Sequence, residues 1–518
     1  MQIQNLTSDR YDAIIKNTMS ELAIIGGGIS GLCAGIYAQL SGLQSEIFEG
    51  HSVVGGQCTS WTRKGYHIDN CVHWMTGTSP EKEIYQVWKD VGVLGEGQKI
   101  VSHDYFLQVD IDGVKGHVWR DLNKMQAELL SIAPEDEVEI KRLIKAIKDF
   151  QGIELPALKP KEQMTFWDNM KLLWKMRKVI PVAAKYQKLT LNEYAGHFKS
   201  PIIKRIINNY VPDAYFAISM FYMYAMFSAG NADLPYGASD AIALKMRDKY
   251  LQLGGKISTK KKAVNIDIEG SKCKRINFED GTFVEPQNII CAVDASVIFK
   301  LIGEKYMDKH FKFCYANPDK FPVFSDVNVY FSVDCTTEDM PTMEIFNAEE
   351  FELAGRKHHF IIMNNFADQP NFAPEGKGII EVLIVQYDHE YEYWEKLYTE
   401  DKEKYKAAKM QVANALLERL EKHYPKLKGK LDVLEVVTPK SFNRYLGSYK
   451  GSYMGFIQTP HVKKEVHSGV LPGLDNFYLA GQWLQTPGGL PNALVTGRFA
   501  VQRLLKREGR LKEFCCKK

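Results

Sequence analysis

Three glycines near the start of the chain have the spacing of a dinucleotide phosphate site. Gly26, Gly28 and Gly31 form the pattern G-x-G-x-x-G, and Glu49 follows about 20 residues later. In such a site the first glycine permits a tight turn, the second lets backbone approach a pyrophosphate, and the third lets a helix lie close to a strand. The helix N-terminus attracts phosphate, and the acidic residue binds a ribose hydroxyl. The chain is therefore predicted to bind a dinucleotide.

The elements that must position these glycines can all be identified between Glu21 and Glu49. The apolar run Leu22–Ile25 predicts a buried parallel strand, and residues with helical spacing follow Gly31. A second strand is predicted at Ser45–Phe48. Because strand, turn, helix, strand and acid occur in the required order, a glycine-rich turn in some other βαβ unit is the weaker interpretation.

A second arrangement of strand, glycine loop and helix lies near the other end of the chain. A strand is predicted at Phe477–Ala480, ending at Gly481, and a helix is predicted over Pro491–Leu505. The loop between them contains Gly488 and Gly489. Since a helix N-terminus attracts anions, this region is a second candidate for ligand contact.

Length and composition indicate an ordinary globular protein with more than one domain. At 518 residues the chain is too long for one compact core. Hydrophobic residues at 45% and charged residues at 25% are typical values. The net charge of +3 does not support nucleic-acid binding. The nine cysteines lack zinc-site spacing, so no metal is predicted and reduced thiols are expected.

The sequence contains no recognisable targeting or membrane-spanning segment. Residues 1–20 form a polar extension without an apolar core of signal-peptide length. No run reaches roughly 18 consecutive apolar residues, which disfavours a spanning helix. We therefore expect a cytoplasmic protein, with peripheral membrane association as an alternative, and the oligomeric state is left open.

The order of predicted elements divides the chain into two interleaved domains. The predicted fold class is α/β, with a Rossmann-like dinucleotide-binding domain of residues 21–80, 231–300 and 440–510. An inserted α+β substrate domain is predicted to consist of two further segments. Its first part, residues 81–230, is predicted to be helical and rich in aromatic residues and methionine. Its second part, residues 301–439, is predicted to be an antiparallel sheet with helices.

Two segments of the insertion have compositions that suggest ligands. Residues 164–188 mix basic residues with tryptophan and leucine, which fits an interfacial helix on an anionic membrane. The favoured alternative is a solvated helix that packs one apolar stripe on the core. Residues 214–232 are uncharged and rich in methionine and aromatic residues. They are interpreted as core, or as the wall of a pocket for a large apolar ligand.

Three sequence motifs together resemble a known family. IGGGISGLCAG, GGQCTSWTRKGYHID and YLAGQWLQTPGG resemble the FAD-dependent amine-oxidase-like superfamily. Within it they are most similar to the phytoene desaturase, carotenoid isomerase and retinol saturase group. The resemblance covers nearly the whole chain and implies FAD as the cofactor.

The resemblance also implies which residues contact FAD. The pyrophosphate would lie at the first glycine turn, the adenosine ribose at Glu49, and the flavin beside Gln57 and the C-terminal motif. The implied contacts are Gly26, Gly28, Ile29, Ser30, Gly31, Glu49, Gly55, Gly56, Gln57, Val264, Gly481, Gln482, Pro491, Asn492 and Ala493.

The chain departs from the family pattern near the flavin. Gln57 replaces a basic residue that the family often has, and Cys71 occupies a glycine position. No acid–base pair stands out. The catalytic candidates are His67, Asp69, His73, Arg444 and Tyr453.

The implied function is an FAD-dependent oxidoreductase that exchanges hydride at flavin N5 with carbon–carbon bonds of an isoprenoid, carotenoid or lipid-like substrate. Desaturation, saturation and isomerisation all remain open. One alternative is an amine or amino-acid oxidase on the same framework, which would need a polar pocket. A second alternative is a flavin-binding, membrane-associated protein without catalytic activity.

Overall fold

The computed structural model describes residues 20–212, 214–457, 459–460 and 466–516. All but the last residue of the predicted N-terminal extension, 1–20, lies outside this part. The strands, in chain order, are β1 (Leu22–Ile25), β2 (Ser45–Phe48), β3 (Ser60–Arg63), β4 (Tyr66–Asp69), β5 (Met75–Thr76), β6 (Ile100–Val101), β7 (Tyr105–Ile111), β8 (Val114–Trp119), β9 (Ala232–Pro235), β10 (Lys256–Ser258), β11 (Ala263–Glu269), β12 (Lys272–Phe278), β13 (Phe283–Val284), β14 (Asn288–Cys291), β15 (Phe324–Val333), β16 (Met343–Leu353), β17 (Arg356–Asn365), β18 (Gly378–Tyr387), β19 (Leu431–Val437) and β20 (Phe477–Leu479).

The α-helices connect these strands and cover their sheets. In chain order they are α1 (Ile29–Leu40), α2 (Glu83–Asp90), α3 (Leu122–Ile132), α4 (Glu137–Phe150), α5 (Phe166–Lys175), α6 (Val179–Tyr186), α7 (Leu191–Ala195), α8 (Pro201–Asn208), α9 (Ile218–Ser228), α10 (Ala238–Gln252), α11 (Ala295–Ile302), α12 (Lys309–Ala316), α13 (Asp388–Glu400), α14 (Lys402–His423), α15 (Pro439–Leu446) and α16 (Leu490–Arg507).

A five-stranded parallel sheet has the order β10-β2-β1-β14-β20. Its central strand β1 is fully buried, as expected for a parallel sheet covered on both faces. The two glycine motifs follow β1 and β20, which are separated only by β14. Parallel strands end at the same edge of a sheet, so the two motifs meet although they lie at opposite ends of the chain.

Glycine contacts bring α1 close to the sheet and to α16. A Cβ on Gly31 would lie 1.9 Å from the Gly26 carbonyl oxygen. A Cβ on Gly497 of α16 would lie 2.3 Å from the Ser30 carbonyl oxygen of α1. Any side chain at either position would force the elements apart, so these glycines set the distance between α1 and its neighbours.

The second large sheet has seven strands in the order β19-β15-β18-β17-β16-β7-β8. Two expectations about it are wrong. Residues 81–230 are not entirely helical, because β7 and β8 form a hairpin around Asp112-Gly113 and join this sheet. The sheet is also mixed, since β16 and β7 pair in parallel. The hairpin signal, alternating residues around an Asp-Gly turn, is present in the sequence.

Strand β15 shows that this sheet has one apolar face in the core and one face with polar side chains. Val327, Val329 and Phe331 belong to a core cluster with residues of α13 and α14. The alternate residues Asp326 and Tyr330 point to the opposite face, because side chains alternate along a strand. The sheet therefore presents polar side chains toward the interior between the two sheets.

Helices α5 and α6 correspond to the basic, tryptophan-containing segment 164–188. Helix α6 buries Val179, Val182 and Tyr186, as the favoured packing interpretation requires. Helix α5 has no buried residue, so that interpretation is wrong for α5. In the described part of the chain, no helix combines the length and the apolar character needed to cross a bilayer.

Candidate active site

A single cavity of about 1790 Å³ connects both glycine motifs with the seven-stranded sheet. This volume exceeds the roughly 300–1,000 Å³ of a pocket for one drug-sized ligand. The cavity therefore has room for an extended cofactor and a second molecule beside it.

The first glycine turn forms one end of the cavity. Gly26 has a φ of 100°, a conformation that favours glycine. Gly28, Ile29 and Ser30 line the cavity at the N-terminus of α1. The Ser30 hydroxyl is buried and has no hydrogen-bond partner among the described residues. A phosphate oxygen beside the helix N-terminus would satisfy this hydroxyl.

Glu49 is held rigidly at the end of β2 and lines the same cavity. One carboxylate oxygen accepts a hydrogen bond from the Gly27 N–H at 2.7 Å, and the other accepts from the His51 N–H at 2.8 Å. Each carboxylate oxygen has a second lone pair available. The side chain is thus oriented by backbone and can accept further hydrogen bonds from hydroxyl groups.

Gly55, Gly56 and Gln57 connect the first glycine turn to the C-terminal motif. The Gly55 N–H donates to the Gly27 carbonyl at 2.9 Å, and Gly55 and Gly56 both have positive φ. The Gln57 side chain donates to the Ser452 carbonyl at 3.0 Å. It also accepts a hydrogen bond from the Gln482 amide at 3.3 Å. Gln57, which replaces the family's basic residue, therefore joins the two halves of the site.

The C-terminal motif closes the cavity through hydrogen bonds within its own loop and helix. The Gly481 N–H donates to the Thr496 hydroxyl of α16 at 3.0 Å. The Asn492 side chain donates to the Gly488 carbonyl at 2.7 Å. The predicted contacts of this motif that line the cavity are Gly481, Gln482, Pro491, Asn492 and Ala493.

Two predicted cofactor contacts do not line the cavity. Val264 is 45% exposed, and its neighbour Ala263 lines the cavity instead. Gly31 lies beneath the turn, where it permits the close approach of α1 to the Gly26 carbonyl. The local sequence predicts strand β11, but it does not indicate which residue of that strand lines the cavity.

The other end of the cavity is aromatic and apolar. Helix α9 and the residues before it contribute Tyr215, Tyr222 and Met223 to its wall. Other residues of α9, such as Phe221, pack in the core. Segment 214–232 is thus both core and cavity wall. An aromatic and methionine-rich wall suits an apolar ligand of irregular shape.

His67 and Asp69, two of the predicted catalytic residues, do not line the cavity. The His67 ring packs at a tilt against Phe372 with ring centroids 4.3 Å apart. Asp69 accepts hydrogen bonds from the Ser239 N–H at 2.8 Å and hydroxyl at 2.6 Å, at the start of α10. Burial raises the pKa of Asp69, while the Ser239 hydrogen bonds oppose the rise. Asp69 therefore has structural partners, whereas the buried Nε2 of His67 has no hydrogen-bond partner among the described residues.

His73 lines the cavity and forms a buried ion pair with Glu381 of β18. Its Nε2 lies 2.7 Å from a Glu381 carboxylate oxygen. Burial disfavours the charged imidazole, but the adjacent carboxylate outweighs it and raises the pKa of His73 to about 9. The Tyr330 hydroxyl donates to Glu381 at 2.7 Å, and the Asn364 amide donates at 2.8 Å. Both oxygens of the Glu381 carboxylate therefore have hydrogen-bond partners.

Asp326 of β15 is a buried acidic side chain at this apolar end of the cavity. It is 2% exposed and lines the cavity. Its buried Oδ1 has no hydrogen-bond partner among the described residues. Burial and the negative charge of Glu381 raise the pKa of Asp326 to about 8, and His73 opposes the rise. Near neutral pH this carboxyl group is therefore mostly protonated and can donate a proton.

The remaining two catalytic candidates lie in different parts of the cavity wall. The Tyr453 hydroxyl donates to the Cys71 carbonyl, between the flavin motifs and the sheet. Arg444 is exposed on α15, with its guanidinium over the Tyr445 ring at 5.1 Å. The same helix contacts the nucleotide end through a hydrogen bond from His51 to the Tyr445 carbonyl. Arg444 therefore lies toward the nucleotide end of the cavity.

Sequence reasoning missed Asp326 and Glu381. Each is the single acidic residue of a buried strand, FSDVNVYFSV and GIIEVLIVQY. Because an acidic side chain is costly to bury, such a residue in a central strand is a signal of function. That signal was available in the sequence.

Curated relatives with three related activities match most of the chain. Prolycopene isomerase of Daucus carota is 21% identical over 483 residues, covering 87% of this chain and 74% of the relative. The 1-hydroxycarotenoid 3,4-desaturase of Flavobacterium sp. (strain P99-3) is 20% identical and covers 93% and 98%. All-trans-retinol 13,14-reductase of Danio rerio is 20% identical and covers 94% and 87%.

A solved structure supports the fold, and a family model identifies the cofactor class. Cyclohexylamine oxidase from Brevibacterium oxydans IH-35A superposes with a TM-score of 0.56 at 12% identity, covering 95% of this chain and 100% of the other. The model of the family described as flavin containing amine oxidoreductase matches residues 29–505. Together with a cradle that suits a dinucleotide, this match shows that the chain belongs to the flavin-containing amine oxidoreductase family and is an FAD-dependent oxidoreductase.

Proposed function

We propose that the protein exchanges hydrogen with carbon–carbon bonds of a hydrophobic, isoprenoid-like substrate. The observation that carries this proposal is the continuity of one cavity from the FAD cradle to an aromatic, methionine-rich end. The names of its relatives, an isomerase, a desaturase and a reductase of polyenes, support the same class of substrate. An amine substrate would need a more polar pocket than this wall provides.

We propose that FAD lies along the residues of the two glycine motifs. The pyrophosphate would contact Gly26, Gly28 and Ser30, and the adenosine ribose would contact Glu49. Gln57 and the C-terminal motif would border the flavin. FAD supplies hydride acceptance or delivery at N5. The segments that build the parallel sheet would form the cofactor domain, and those that build the mixed sheet would form the substrate domain.

In this proposal the apolar wall orients the substrate and excludes water, and Asp326 donates or accepts the proton. Adding hydrogen across a C=C bond requires a hydride at one carbon and a proton at its neighbour. The protonated Asp326 carboxyl would donate that proton and become a carboxylate. In the reverse direction the carboxylate would accept it. The His73–Glu381 ion pair would remain charged beside Asp326 while the proton moves.

The test is anaerobic incubation of the FAD-loaded protein, oxidised or reduced, with polyene and fatty-acid extracts. We expect flavin oxidation or reduction, followed by its absorbance, together with a product whose mass differs by two hydrogens. An isomerised product without net redox change would identify an isomerase. Absence of any product, together with stoichiometric peroxide release when amines are added in air, would overturn the proposal in favour of an amine oxidase.

Replacing Glu49 by glutamine is expected to weaken FAD binding about tenfold, because a hydrogen bond to a charged acceptor is worth more than one to a neutral amide. Fluorescence titration of the apoprotein with FAD measures this change. The matched control is Glu46→Gln on the same strand, whose carboxylate bonds to Ser258 and not to the cavity. Equal losses in both variants would contradict the assignment of Glu49 to the cofactor.

We propose that α5 rests on a lipid surface beside the cavity. Its exposed apolar side chains include Trp167, 77% exposed, and Trp174, 64% exposed. Lys171 and Lys178 are exposed around them, which complements anionic lipid. The following helix, α6, lines the cavity with Val179 and Ala183. A substrate dissolved in lipid would thus have a short path from the membrane to the apolar end.

The double variant Trp167→Ala, Trp174→Ala is expected to bind anionic vesicles at least about tenfold more weakly, because two aromatic side chains no longer enter the lipid. Vesicle co-sedimentation with and without phosphatidylglycerol measures this change. Phe283→Ala, which removes an exposed aromatic ring on β13, is the control. Equal binding by the wild type and the double variant would refute membrane contact through α5.

A further inference from the structure

Two cysteines meet in the cavity wall between the FAD cradle and the mixed sheet. The Sγ atoms of Cys58 and Cys71 lie 3.6 Å apart. Both residues line the cavity, and both are free thiols. Cys58 directly follows the cradle residue Gln57, and Cys71 lies two residues before His73. The pair therefore stands where the cofactor side and the polar network of the sheet come together.

The hairpin β3–β4 explains why the two sulfur atoms face each other. Its register pairs Ser60 with Asp69. Continuing the same register by two residues places Cys58 opposite Cys71. Residues opposite each other across antiparallel strands have Cβ atoms about 4.5–5.5 Å apart, close to the roughly 3.5–4.5 Å of a disulfide. Bond formation needs the sulfur atoms to approach only about 1.5 Å further, which side-chain rotation and a small backbone shift can supply.

The two thiols differ in the way that a redox pair requires. Cys58 is 2% exposed, and contact with Cys71 together with burial raises the pKa of its thiol. Cys71 is partly exposed to the cavity. A reagent in the cavity would therefore reach Cys71 first, and Cys58 lies behind it as a resolving thiol.

We propose that Cys58 and Cys71 form a reversible dithiol–disulfide pair in the wall of the cavity. With a low-molecular-weight disulfide as oxidant, the Cys71 thiolate attacks one of its sulfur atoms and expels one thiolate. Cys58 then loses its proton and attacks the Cys71 sulfur, which closes the protein disulfide and expels the second thiolate. Two protein thiols are oxidised, the oxidant is reduced to two thiols, and these carry away the two protons.

Closing this bond would tie the cradle to the segment that carries His73. The Cys71 N–H already donates to Asp69 at 3.2 Å, and its carbonyl accepts a hydrogen bond from Tyr453. A disulfide would add a covalent link to the Gln57 side of the cavity. In the FAD-loaded enzyme it would also be a second two-electron acceptor next to the cofactor site.

The test treats the FAD-loaded enzyme with oxidised glutathione, alkylates the remaining thiols in acid and maps the peptides by mass spectrometry. We expect the peptides of Cys58 and Cys71 to be joined and to separate after dithiothreitol. The Cys58→Ser variant should stop at a mixed disulfide of glutathione with Cys71. Cys335→Ser, a partly exposed cysteine elsewhere, should behave as wild type.

A second measurement reports on the pair without any substrate. Anaerobic dithionite titration of the oxidised wild type should consume four electrons per chain, two for FAD and two for the disulfide. The Cys71→Ser variant should consume two. Two outcomes would overturn the proposal. The first is that, after treatment with oxidised glutathione, Cys58 and Cys71 of the wild type are both alkylated under conditions that modify the exposed Cys516. The second is equal electron uptake by the wild type and Cys71→Ser.

Discussion

Replacing Asp326 by asparagine is expected to slow turnover of a polyene substrate by about 100- to 10,000-fold, the usual contribution of a positioned acid or base. Asparagine has nearly the same shape and is neutral, as the protonated acid is, so the fold and FAD binding should persist. Single-turnover flavin kinetics measure the rate. A substitution at Val327, which faces the opposite side of the sheet, is the matched control: Val327→Ala should leave the rate within a few-fold.

The pH dependence of the same reaction separates proton donation from a packing effect. Because the pKa of Asp326 is raised to about 8, saturation by wild type should proceed below that pH and decline above it. The titratable groups that interact with Asp326 include His73, Glu381, Tyr210 and Tyr453, and none of them is changed in the variant. Asp326→Asn should be slow at every pH and show no decline attributable to this group.

Infrared spectroscopy tests the protonation state independently of any substrate. The wild type should show the C=O band of a carboxylic acid near neutral pH, fading as the pH rises through about 8. The band should be absent from Asp326→Asn. Asp326 would not be the proton donor if Asp326→Asn turned over at the wild-type rate. The same would follow if the wild type showed no carboxylic-acid band that the substitution removes.

Replacing Glu381 by glutamine is expected to reduce the free energy of unfolding by about 3–5 kcal/mol, since it leaves the buried His73 without its counter-ion. Chemical denaturation near pH 6, where His73 would carry its charge, measures this loss. The double variant His73→Asn, Glu381→Gln should lose less than the sum of the single variants, because it leaves no uncompensated charge.

The contribution of the His73–Glu381 pair to the free energy of unfolding should be lost at high pH. The pKa of His73 is raised from its ordinary value of 6.5 to about 9, so the contribution is fully present below about 6.5 and is lost as the pH rises through about 9. Glu137→Gln, which breaks an exposed ion pair with Lys141, is a control that should show no measurable change. Additive single-variant losses in the double variant would mean that the two groups are not coupled.

The cofactor end of the site could be predicted because its signals are local. Gly26, Gly28 and Glu49 belong to one strand–turn–helix–strand unit, in which backbone geometry requires the glycines and ribose binding requires the acid. The structure confirms the strands at Leu22–Ile25 and Ser45–Phe48 residue for residue. Gly31 illustrates the same logic, because its role is a backbone contact within the same unit.

The catalytic candidates could not be separated in the same way. His67, Asp69 and His73 lie within seven residues, yet their side chains meet partners from Phe372, Ser239 and Glu381. Nothing in the local sequence distinguishes a residue that caps a helix from one that lines a cavity. The prediction for segment 81–230 fails for a different reason, since it overlooks the local signal of the β7–β8 hairpin.

The sequence by itself determined that the chain holds a dinucleotide, through glycine spacing at both ends, and that the insertion is apolar. Only the tertiary structure decided which polar groups meet at the cavity: Asp326, whose Oδ1 has no partner among the described residues, His73 paired with Glu381, and Cys58 against Cys71. The physical reason is the range of the interactions involved. A phosphate-binding turn is a property of consecutive backbone, whereas the chemistry of a buried side chain depends on neighbours that the fold brings from elsewhere in the chain.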